Sequence, residues 1–372
     1  MKIALIHDHL NQYGGAERVL LALSEIFPEA PIYTLIYDEE KIGNLFKGKD
    51  IRTSFIQRAP FGIGKKLFKF FLPIMQQAVE TFDLSEFDIV ISSSSAFCKG
   101  VITKTNTKHI CYCHTPTRYL WDDTHSYVSD LKIPKMFKIF IRSSLSKIRE
   151  WDYLAAQRVD QFVANSKFVQ NRISKFYRRD SEIIYPPVDI YTKEPLKTDE
   201  LGDYFLIVSR LRPYKKVDLA IQTFNELNKE FGDKYKLKII GTGEYEYELK
   251  KMTMGDNIEF LGFKNDDDRN YFVSKCLAFI NPQEEDFGIT PVEAMMTGRP
   301  VIAFKKGGAI ETVIENETGI FFEKQTINDL KNAILKFDYT KFDSEKIQKH
   351  AESFSKEEFK KKILEIVNKK EK

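Results

Sequence analysis

The chain has 372 residues, of which 42% are hydrophobic and 30% are charged, and its formal net charge is +3. This composition is typical of a folded globular protein, and the length exceeds the size at which one core keeps growing, which predicts two domains. The four cysteines are too few and too scattered for a disulfide framework, and Cys111 and Cys113 lack the second pair that a zinc site needs, so we expect a reduced, cytoplasmic protein.

Short apolar runs alternate with helical patterns in both halves of the chain, which predicts layers of parallel βαβ units. In the first half this pattern predicts a helix at 16–27 and strands at 2–7, 32–37, 88–92, 109–113, 161–164 and 182–185. In the second half it predicts a helix at 217–231 and strands at 204–209, 237–240, 258–261, 277–280 and 300–304. The expected fold class is therefore α/β, with two doubly wound, Rossmann-like domains facing across a cleft.

The domain boundary is predicted at Pro186-Pro187, because two prolines stop regular structure and the polar residues that follow offer little to bury. We expect a first domain at 1–187, a linker at 188–202 and a second domain at 203–352. A lysine-rich helix within 353–372 must dock on one of them. In such sheets, ligands bind beyond the carboxyl ends of the strands.

Membrane contact is suggested by charge rather than by apolar length. The apolar segment 3–6 is too short for a signal peptide, and no apolar run approaches the ~20 residues that span a bilayer. Residues 1–187 carry 26 Lys/Arg against 20 Asp/Glu, whereas 188–372 carry 31 against 34. Basic and apolar residues interleave at 65–72 and 132–149, which is typical of a helix on an anionic membrane, although core-facing helices with solvated lysines explain the pattern equally well. We expect no nucleic-acid partner.

The segment 281–303 is the most informative part of the sequence. Two carboxylates, Glu285 and Glu293, flank a Phe287-Gly288 turn that begins a helix. Carboxylates accept hydrogen bonds from hydroxyls, and a helix start offers unpaired N–H groups to an anion. One loop could thus bind a ligand that is both polyhydroxylated and phosphorylated, such as a nucleotide sugar.

Each glutamate also has a simpler interpretation. Thr290-Pro291-Val292-Glu293 fits a capping box, in which Glu293 would only cap its helix. Glu285 follows Glu284 and could belong to a solvated acidic pair. We favour ligand binding for both, and more strongly for Glu285.

Two cations, Arg210 and Lys215, follow a predicted strand and precede a helix. A diphosphate leaving group needs such partners, although an isolated basic turn is more often only solvated. Gly14 and Gly15 also lie between a strand and a helix and would let a backbone approach a phosphate, but the third glycine of a dinucleotide fingerprint is absent.

The remaining candidates are weaker. His114 follows a strand and either presents its imidazole to a ligand or is satisfied within its loop. The turns at 241–243 and at Gly262-Phe263 could approach a nucleobase, although glycines after strands are ordinary turn residues. His7, His9 and His125 belong to no motif.

Taken together, these motifs resemble retaining, nucleotide-sugar-dependent glycosyltransferases of the GT-B fold, in the large fourth family. The resemblance extends from Gly14-Gly15 to Gly319, and its most specific part is the Glu-x7-Glu loop followed by Gly-x-Pro-Val-Ile-Ala. It implies that Arg210 and Lys215 bind the donor diphosphate.

The resemblance also implies roles for the other candidates. Glu285 would bind the hydroxyls of the donor sugar, Glu293 those of the ribose, and His114 the reacting sugar. The remaining residues implied in donor binding are Gly14, Gly15, Gly262, Phe263, Phe287, Gly288 and Ile289. The last helix would return to the first domain.

The same resemblance implies retention of the anomeric configuration by front-face displacement, without a metal or other cofactor. The Glu-Asp-Phe-Gly-Ile-Thr-Pro-Val-Glu variant and the His-Thr-Pro-x-Arg-Tyr-Leu-Trp block are most similar to bacterial mannosyltransferases of O-antigen or capsule assembly. The expected donor is therefore GDP-mannose. The expected acceptor is a glycan or lipid-diphosphate-linked sugar at the inner face of the cytoplasmic membrane, in surface polysaccharide biosynthesis.

Three alternatives remain open: a UDP-sugar-dependent transferase of the same fold, a nucleotide-sugar epimerase, and a non-catalytic glycan- or nucleotide-binding protein. The set of charged groups argues against the last, because burying unneeded charge is costly.

Overall fold

The structure, a computed structural model, describes residues 1–59, 68–130, 135–189 and 194–369. The chain divides into two compact units. The first comprises Met1–Pro187 together with Phe359–Lys372, and the second comprises Val188–Glu358.

A parallel sheet forms the centre of the first unit. Its described strands have the order β3-β2-β1-β4-β5-β6-β7, and every neighbouring pair is parallel. The strands are β1 (Ile3–His7), β2 (Ile32–Thr34), β3 (Ile51–Thr53), β4 (Ile89–Ser94), β5 (Lys108–Cys113), β6 (Gln161–Ala164) and β7 (Ser181–Ile183). The α-helices of this unit span Gly15–Ile26, Glu39–Ile42, Met75–Glu80, Thr124–Asp130, Lys135–Gln157 and Lys167–Tyr177.

The second unit repeats this plan with six described strands in the order β10-β9-β8-β11-β12-β13, again all parallel. They are β8 (Tyr204–Val208), β9 (Lys236–Ile240), β10 (Ile258–Gly262), β11 (Ala278–Asn281), β12 (Val301–Phe304) and β13 (Gly319–Phe322). The helices span Val217–Phe231, Glu246–Met252, Asp266–Lys275, Ile289–Met296, Ala309–Thr312, Ile327–Lys336 and Ser344–Ala351, and a further helix, Lys356–Asn368, crosses into the first unit.

Each sheet contains one point at which the strand order reverses direction. In the first unit it lies between β1 and β4, where His7 is the register partner of Ser93. In the second unit it lies between β8 and β11. Loops leaving the carboxyl ends of these strand pairs turn to opposite sides, which opens a crevice for ligands. The α/β fold class with two doubly wound sheets is thereby confirmed.

The C-terminal helix is part of the first unit's core. Phe359, Ile363 and Ile366 are buried in the same cluster as Leu5 and Leu20. The apolar face that the sequence indicates therefore packs in the core of the first unit.

Two strands were missed from the sequence. β3 is only three residues long, lies at the sheet edge and is only half-buried, so it carries no alternating apolar pattern. β13 begins at Gly319, where a Cβ would lie 2.1 Å from the carbonyl oxygen of Val301. A glycine at a strand start indicates a turn in sequence, whereas here it permits close backbone approach.

The basic segments fall partly outside the described residues, which exclude 60–67 and 131–134. In the long helix Lys135–Gln157, Leu145 and Ile148 are buried in the core, whereas Ile139 is 65% and Leu154 56% exposed. Of the helices that the structure describes, none combines the length and the apolarity needed to cross a bilayer. In the predicted linker, 190–193 are not described and Thr198–Glu200 forms a 3₁₀ turn.

Candidate functional site

Lys215 and Glu285 meet at the reversal point of the second sheet. Beyond β8, a 3₁₀ turn at Pro213–Lys215 ends at Lys216, whose φ of 55° turns the chain into the helix Val217–Phe231. This turn directs Lys215 Nζ to the Glu285 carboxylate, which follows β11, and the two side chains form a hydrogen-bonded ion pair. Both are partly buried, with 14% and 23% of the side chain exposed.

The Glu285 carboxylate is fixed by its surroundings. Gln283 Nε2 donates to Glu285 Oε1 at 3.0 Å, and the Gly308 N–H donates to the Glu285 carbonyl at 2.9 Å. Glu284 forms a separate ion pair with Lys306 at 2.9 Å. The interpretation of Glu284 and Glu285 as a solvated acidic pair is therefore wrong.

The helix after this loop begins before Thr290, the residue that a capping box would place at its N-cap. It spans Ile289–Met296, and Gly288, with φ of +90°, occupies the N-cap without a side-chain hydrogen bond. The interpretation of Thr290 as the cap is wrong, because the left-handed conformation of Gly288 starts the helix before Thr290 is reached. Glu293 is buried instead and accepts a hydrogen bond from Arg269 Nη2 at 3.4 Å.

Phe287 and Ile289 flank this helix start. The Phe287 ring is buried and lies 5.7 Å from the ring of Phe354, so its backbone is the part suited to a ligand. Ile289 is the first residue of the helix, and its N–H belongs to the set that lacks an intrahelical acceptor.

Arg210 is exposed and lies on a backbone that two glycines approach closely. A Cβ at Gly241 would lie 1.9 Å from the Ser209 carbonyl oxygen, and one at Gly243 would lie 2.2 Å from that of Leu211. The loop 241–243, which by sequence is an ordinary turn, thus packs against the segment that carries Arg210.

Gly262 is the last residue of β10, and Phe263 follows it. The Gly241 N–H donates to the Gly262 carbonyl at 2.8 Å, and Phe263 is 78% exposed. The predicted donor-binding residues of the second unit therefore lie at or beyond the carboxyl ends of its parallel strands.

In the first unit, His114 is connected to the glycine loop by buried side chains. His114 Nε2 lies 2.8 Å from Ser93 Oγ, which lies 3.1 Å from His7 Nδ1. His7 Nε2 in turn lies 3.7 Å from Glu17 Oε1. Glu17 is in the first turn of the helix that begins at Gly15, with Gly14 at its N-cap.

Burial governs the charge states in this group. Burial lowers the pKa of His114 to about 4, so its imidazole is neutral at pH 7. Burial acts to raise the pKa of Glu17, but the neighbouring His7 imidazole, 3.7 Å away, outweighs burial and lowers it. Glu17 is therefore a carboxylate at neutral pH.

Sequence reasoning missed His7, Ser93, Glu17 and Asp8. Asp8 accepts hydrogen bonds from the four consecutive N–H groups of residues 95–98, at 2.6–2.8 Å, and so fixes the loop after β4. The position of two of these residues could have identified them, because His7 and Ser93 are polar residues at the ends of apolar strands. Among the described residues, no three or more His, Cys, Asp or Glu side chains form a potential metal site.

Comparisons with known proteins cover both units. The family model described as Glycosyltransferase Family 4 matches residues 13–191, and the model described as Glycosyl transferases group 1 matches residues 192–354. The uncharacterized glycosyltransferase MJ1178 of Methanocaldococcus jannaschii is 31% identical over 185 residues, which are 49% of this chain and 50% of that protein.

Two further similarities extend over most of the chain. Alpha-1,3/1,6-mannosyltransferase ALG2 of Dictyostelium discoideum is 26% identical over 76% of this chain and 75% of its own length. The crystal structure of Anabaena Alr3699/HepE has a TM-score of 0.72 at 19% identity, with complete coverage of both chains. Two family models that together match residues 13–354, on two doubly wound parallel sheets, show that this chain belongs to the family-4 type of GT-B glycosyltransferases and is a hexosyltransferase.

Proposed function

We propose that the protein is a retaining mannosyltransferase that transfers mannose from GDP-mannose to a glycan or lipid-diphosphate-linked acceptor in surface polysaccharide biosynthesis. The observation that carries the use of a nucleotide sugar is the Lys215–Glu285 pair at the reversal point between β8 and β11. The choice of mannose is supported by the similarity to ALG2, which is named an alpha-1,3/1,6-mannosyltransferase.

Lys215 can serve the donor without giving up Glu285. An ammonium group has three N–H donors, so Lys215 can bond Glu285 and a phosphate oxygen at the same time. Glu285, oriented by Lys215 and Gln283, then offers its carboxylate oxygens to sugar hydroxyls. The ion pair thus prearranges one group for the phosphate and one for the sugar.

The leaving diphosphate would be stabilised by charge alone. Arg210 and Lys215 supply two cations, and each charge-assisted hydrogen bond contributes roughly 1.5–3 kcal/mol. The N–H groups at Ile289 and the following residue add the partial positive charge of a helix start. These groups act on charge that grows as the glycosidic bond breaks, and the proposal therefore includes no metal.

The ribose of the donor would be bound by Glu293. Its carboxylate is buried and held by Arg269, which fixes its direction. A carboxylate can accept hydrogen bonds from two vicinal hydroxyls, so this role suits a ribose with free 2′ and 3′ hydroxyls.

A UDP-sugar donor is the second candidate. HepE, which shares the fold, has been crystallised in complex with UDP-glucose. The groups considered above would contact the diphosphate, the ribose and hexose hydroxyls, and both GDP-mannose and UDP-glucose offer these features. The base and the sugar therefore need a direct measurement.

Turnover with a panel of nucleotide sugars tests the proposal. The purified protein would be incubated with GDP-mannose, GDP-fucose, UDP-glucose, UDP-galactose or UDP-N-acetylglucosamine and a set of lipid-diphosphate-linked mono- and disaccharides. We expect acceptor-dependent release of GDP from GDP-mannose, unchanged by EDTA and absent in Glu285→Gln. Turnover of a UDP-sugar instead would replace the donor, and loss of activity with EDTA would contradict the metal-free mechanism.

We also propose that the enzyme works at the inner face of the cytoplasmic membrane. The excess of basic residues in 1–187 and the exposed Ile139 and Leu154 on a basic helix support this location. Sedimentation with vesicles in which about one fifth of the lipid is anionic, compared with neutral vesicles, tests this location. Binding only to the anionic vesicles is expected, and no binding to either would contradict it.

A further inference from the structure

A basic pocket in the first unit has no role in the site described above. Its volume is about 530 Å³, within the roughly 300–1,000 Å³ that is typical of ligand pockets. Two of its lining residues come from the long helix Lys135–Gln157, and four come from the segment after β5. The described residues that line it are Leu120, Trp121, Thr124, His125, Arg142 and Arg149.

The charge of this pocket favours an anion. Arg142 and Arg149 supply two cations, and none of the described lining residues is a carboxylate. Asp122 and Asp123, which lie in the same segment, form ion pairs at 2.8 and 3.1 Å with two arginines that are not among the lining residues. The pocket therefore presents positive charge to a ligand.

Arg149 is held by one edge of its guanidinium group. Its Nε donates to the Leu120 carbonyl, and Nη2 donates to Thr124 Oγ1 at 3.2 Å. Its Cζ also lies 6.0 Å from the centre of the Trp121 ring. These bonds use two of the five N–H groups of the side chain, so within the described part of the chain the edge formed by Nη1 and Nη2 can still bind an anion with two parallel hydrogen bonds.

The Trp121 ring, which forms part of the pocket wall, is held by several contacts. Its Nε1 donates to the buried Asp152 carboxylate at 2.8 Å, and the hydroxyls of Thr117 and Tyr177 donate to the same carboxylate at 2.9 Å. The ring also stacks on that of Phe176, with 5.0 Å between the ring centres. Packing and hydrogen bonds therefore define this wall of the pocket.

An exposed apolar side chain lies close to this charge. Ile139 is 65% exposed and precedes Arg142 by three residues, which places both on one side of the helix. Residues 135–149 of the helix include five Lys or Arg and no Asp or Glu. A basic helix that exposes apolar residues is suited to anionic lipids. A ligand with a phosphate group on an apolar chain would match both features.

We propose that this pocket binds the phosphate or diphosphate group of a lipid, with Arg142 and Arg149 contacting its oxygens and the apolar chain passing Ile139. A guanidinium group matches the geometry of phosphate oxygens better than an ammonium group does. Two sources carry this chemistry, a lipid-diphosphate-linked acceptor and a membrane phospholipid. Only the choice of the acceptor as the expected source rests on the proposed function.

Calorimetry on the full chain tests the pocket with three probes. Farnesyl diphosphate represents a lipid diphosphate, dihexanoylphosphatidylglycerol a phospholipid, and inorganic pyrophosphate a diphosphate without a lipid, with both lipids kept below their micellar concentrations. The predicted donor site could also bind a diphosphate, so Arg210→Ala would be the background. We expect farnesyl diphosphate to bind most tightly, because it combines a terminal diphosphate with an apolar chain.

Arg142→Gln removes one of the two cations, and Lys147→Gln is its matched control. Both residues are exposed on the same helix, so any long-range effect of the lost charge is shared. Lys147 lies five residues further on, about 140° around the helix, and is not among the described lining residues. Affinity for farnesyl diphosphate should fall about tenfold in Arg142→Gln and less than twofold in Lys147→Gln. Melting temperatures would confirm that both variants are folded.

The outcomes separate the pocket, the lipid and its source. Equal affinities in Arg142→Gln and Lys147→Gln would overturn the pocket, and pyrophosphate that binds as tightly as farnesyl diphosphate would overturn the lipid. Tighter binding of phosphatidylglycerol would support the site and overturn the acceptor as its source. None of these probes contains a nucleotide, so failure of the nucleotide-sugar panel would leave these results unchanged.

Discussion

At the scale of residues, the candidate site of the second unit contains two carboxylates that are already held by cationic side chains. Lys215 holds Glu285, and Arg269 holds Glu293. Residues of the motif loop were predictable from sequence, because Glu285, Gly288 and Glu293 are close neighbours in one segment. His7 and Ser93 are 86 residues apart, and such a pairing has no local signal.

The substitution Glu293→Gln tests whether Glu293 binds the donor or only stabilises the fold. Since Gly288 occupies the helix start, the substitution cannot remove a cap, and Gln retains the volume and one acceptor oxygen. We expect a melting temperature within about 2 °C of wild type, but donor affinity about tenfold weaker, because two ribose hydroxyls lose a charged acceptor. Calorimetry and thermal unfolding check both. Unchanged donor affinity would make Glu293 a structural partner of Arg269.

At the scale of elements, glycines bring neighbouring loops into contact. Gly307 and Gly308 pack against the backbone of Glu285 and Phe287, so that one loop supports the other. The strands were predictable where they are apolar and central. The helix start was misjudged, because a Thr-Pro-x-Glu pattern is a good cap in isolation whereas the backbone conformation of Gly288 decides the outcome.

Gly307→Ala tests this support, with Gly232→Ala as its control. Both glycines have a positive φ, 65° at Gly307 and 60° at Gly232, so alanine is strained at each position. Only at Gly307 would the new Cβ meet another loop, at 2.3 Å from the Glu285 carbonyl oxygen; at Gly232 nothing lies within 4 Å.

We expect both variants to lose a few degrees of thermal stability, and Gly307→Ala also to lose most of its transfer activity. Melting temperatures and turnover numbers measured together would show this. Equal activity in the two variants would mean that the position of Glu285 does not depend on the neighbouring loop.

At the scale of the whole molecule, the alternation of apolar runs with helical patterns predicted two parallel sheets, and the two sheets have the same type of strand order. The sequence indicated that the last helix is amphipathic but not where it docks, since an apolar face does not identify its partner. The resemblance implied a return to the first domain, and Phe359 and Ile363 indeed pack in that unit's core. Buried histidines make the same unit sensitive to acid.

Burial lowers the pKa of His109 to about 3 and that of His114 to about 4, from 6.5. Between pH 6.5 and these values the unfolded chain binds protons that the folded chain does not, so stability is complete above about pH 6.5 and falls as the pH decreases. Each of the two imidazoles should make the free energy of unfolding about 2 kcal/mol lower at pH 5 than at pH 7.

Urea unfolding at pH 7 and pH 5 measures this cost. Both tryptophans, Trp121 and Trp151, are in the first unit, so their fluorescence reports on it. His109→Gln, which can keep a hydrogen bond to Ser92, should reduce the loss on acidification by about 2 kcal/mol. An identical loss in wild type and variant would show that His109 takes up a proton in the folded state.

The central claim is that the donor diphosphate binds beyond β8 and β11, and a comparison of two arginines tests it most directly. Arg210→Ala and Arg212→Ala remove the same charge from the same loop, so any long-range effect on an anionic ligand is shared. Arg212 forms a 3.4 Å ion pair with Glu244 instead of a predicted ligand contact. Titration of GDP by calorimetry should show at least tenfold weaker binding for Arg210→Ala and less than a twofold change for Arg212→Ala. Equal affinities in the two variants would contradict the account.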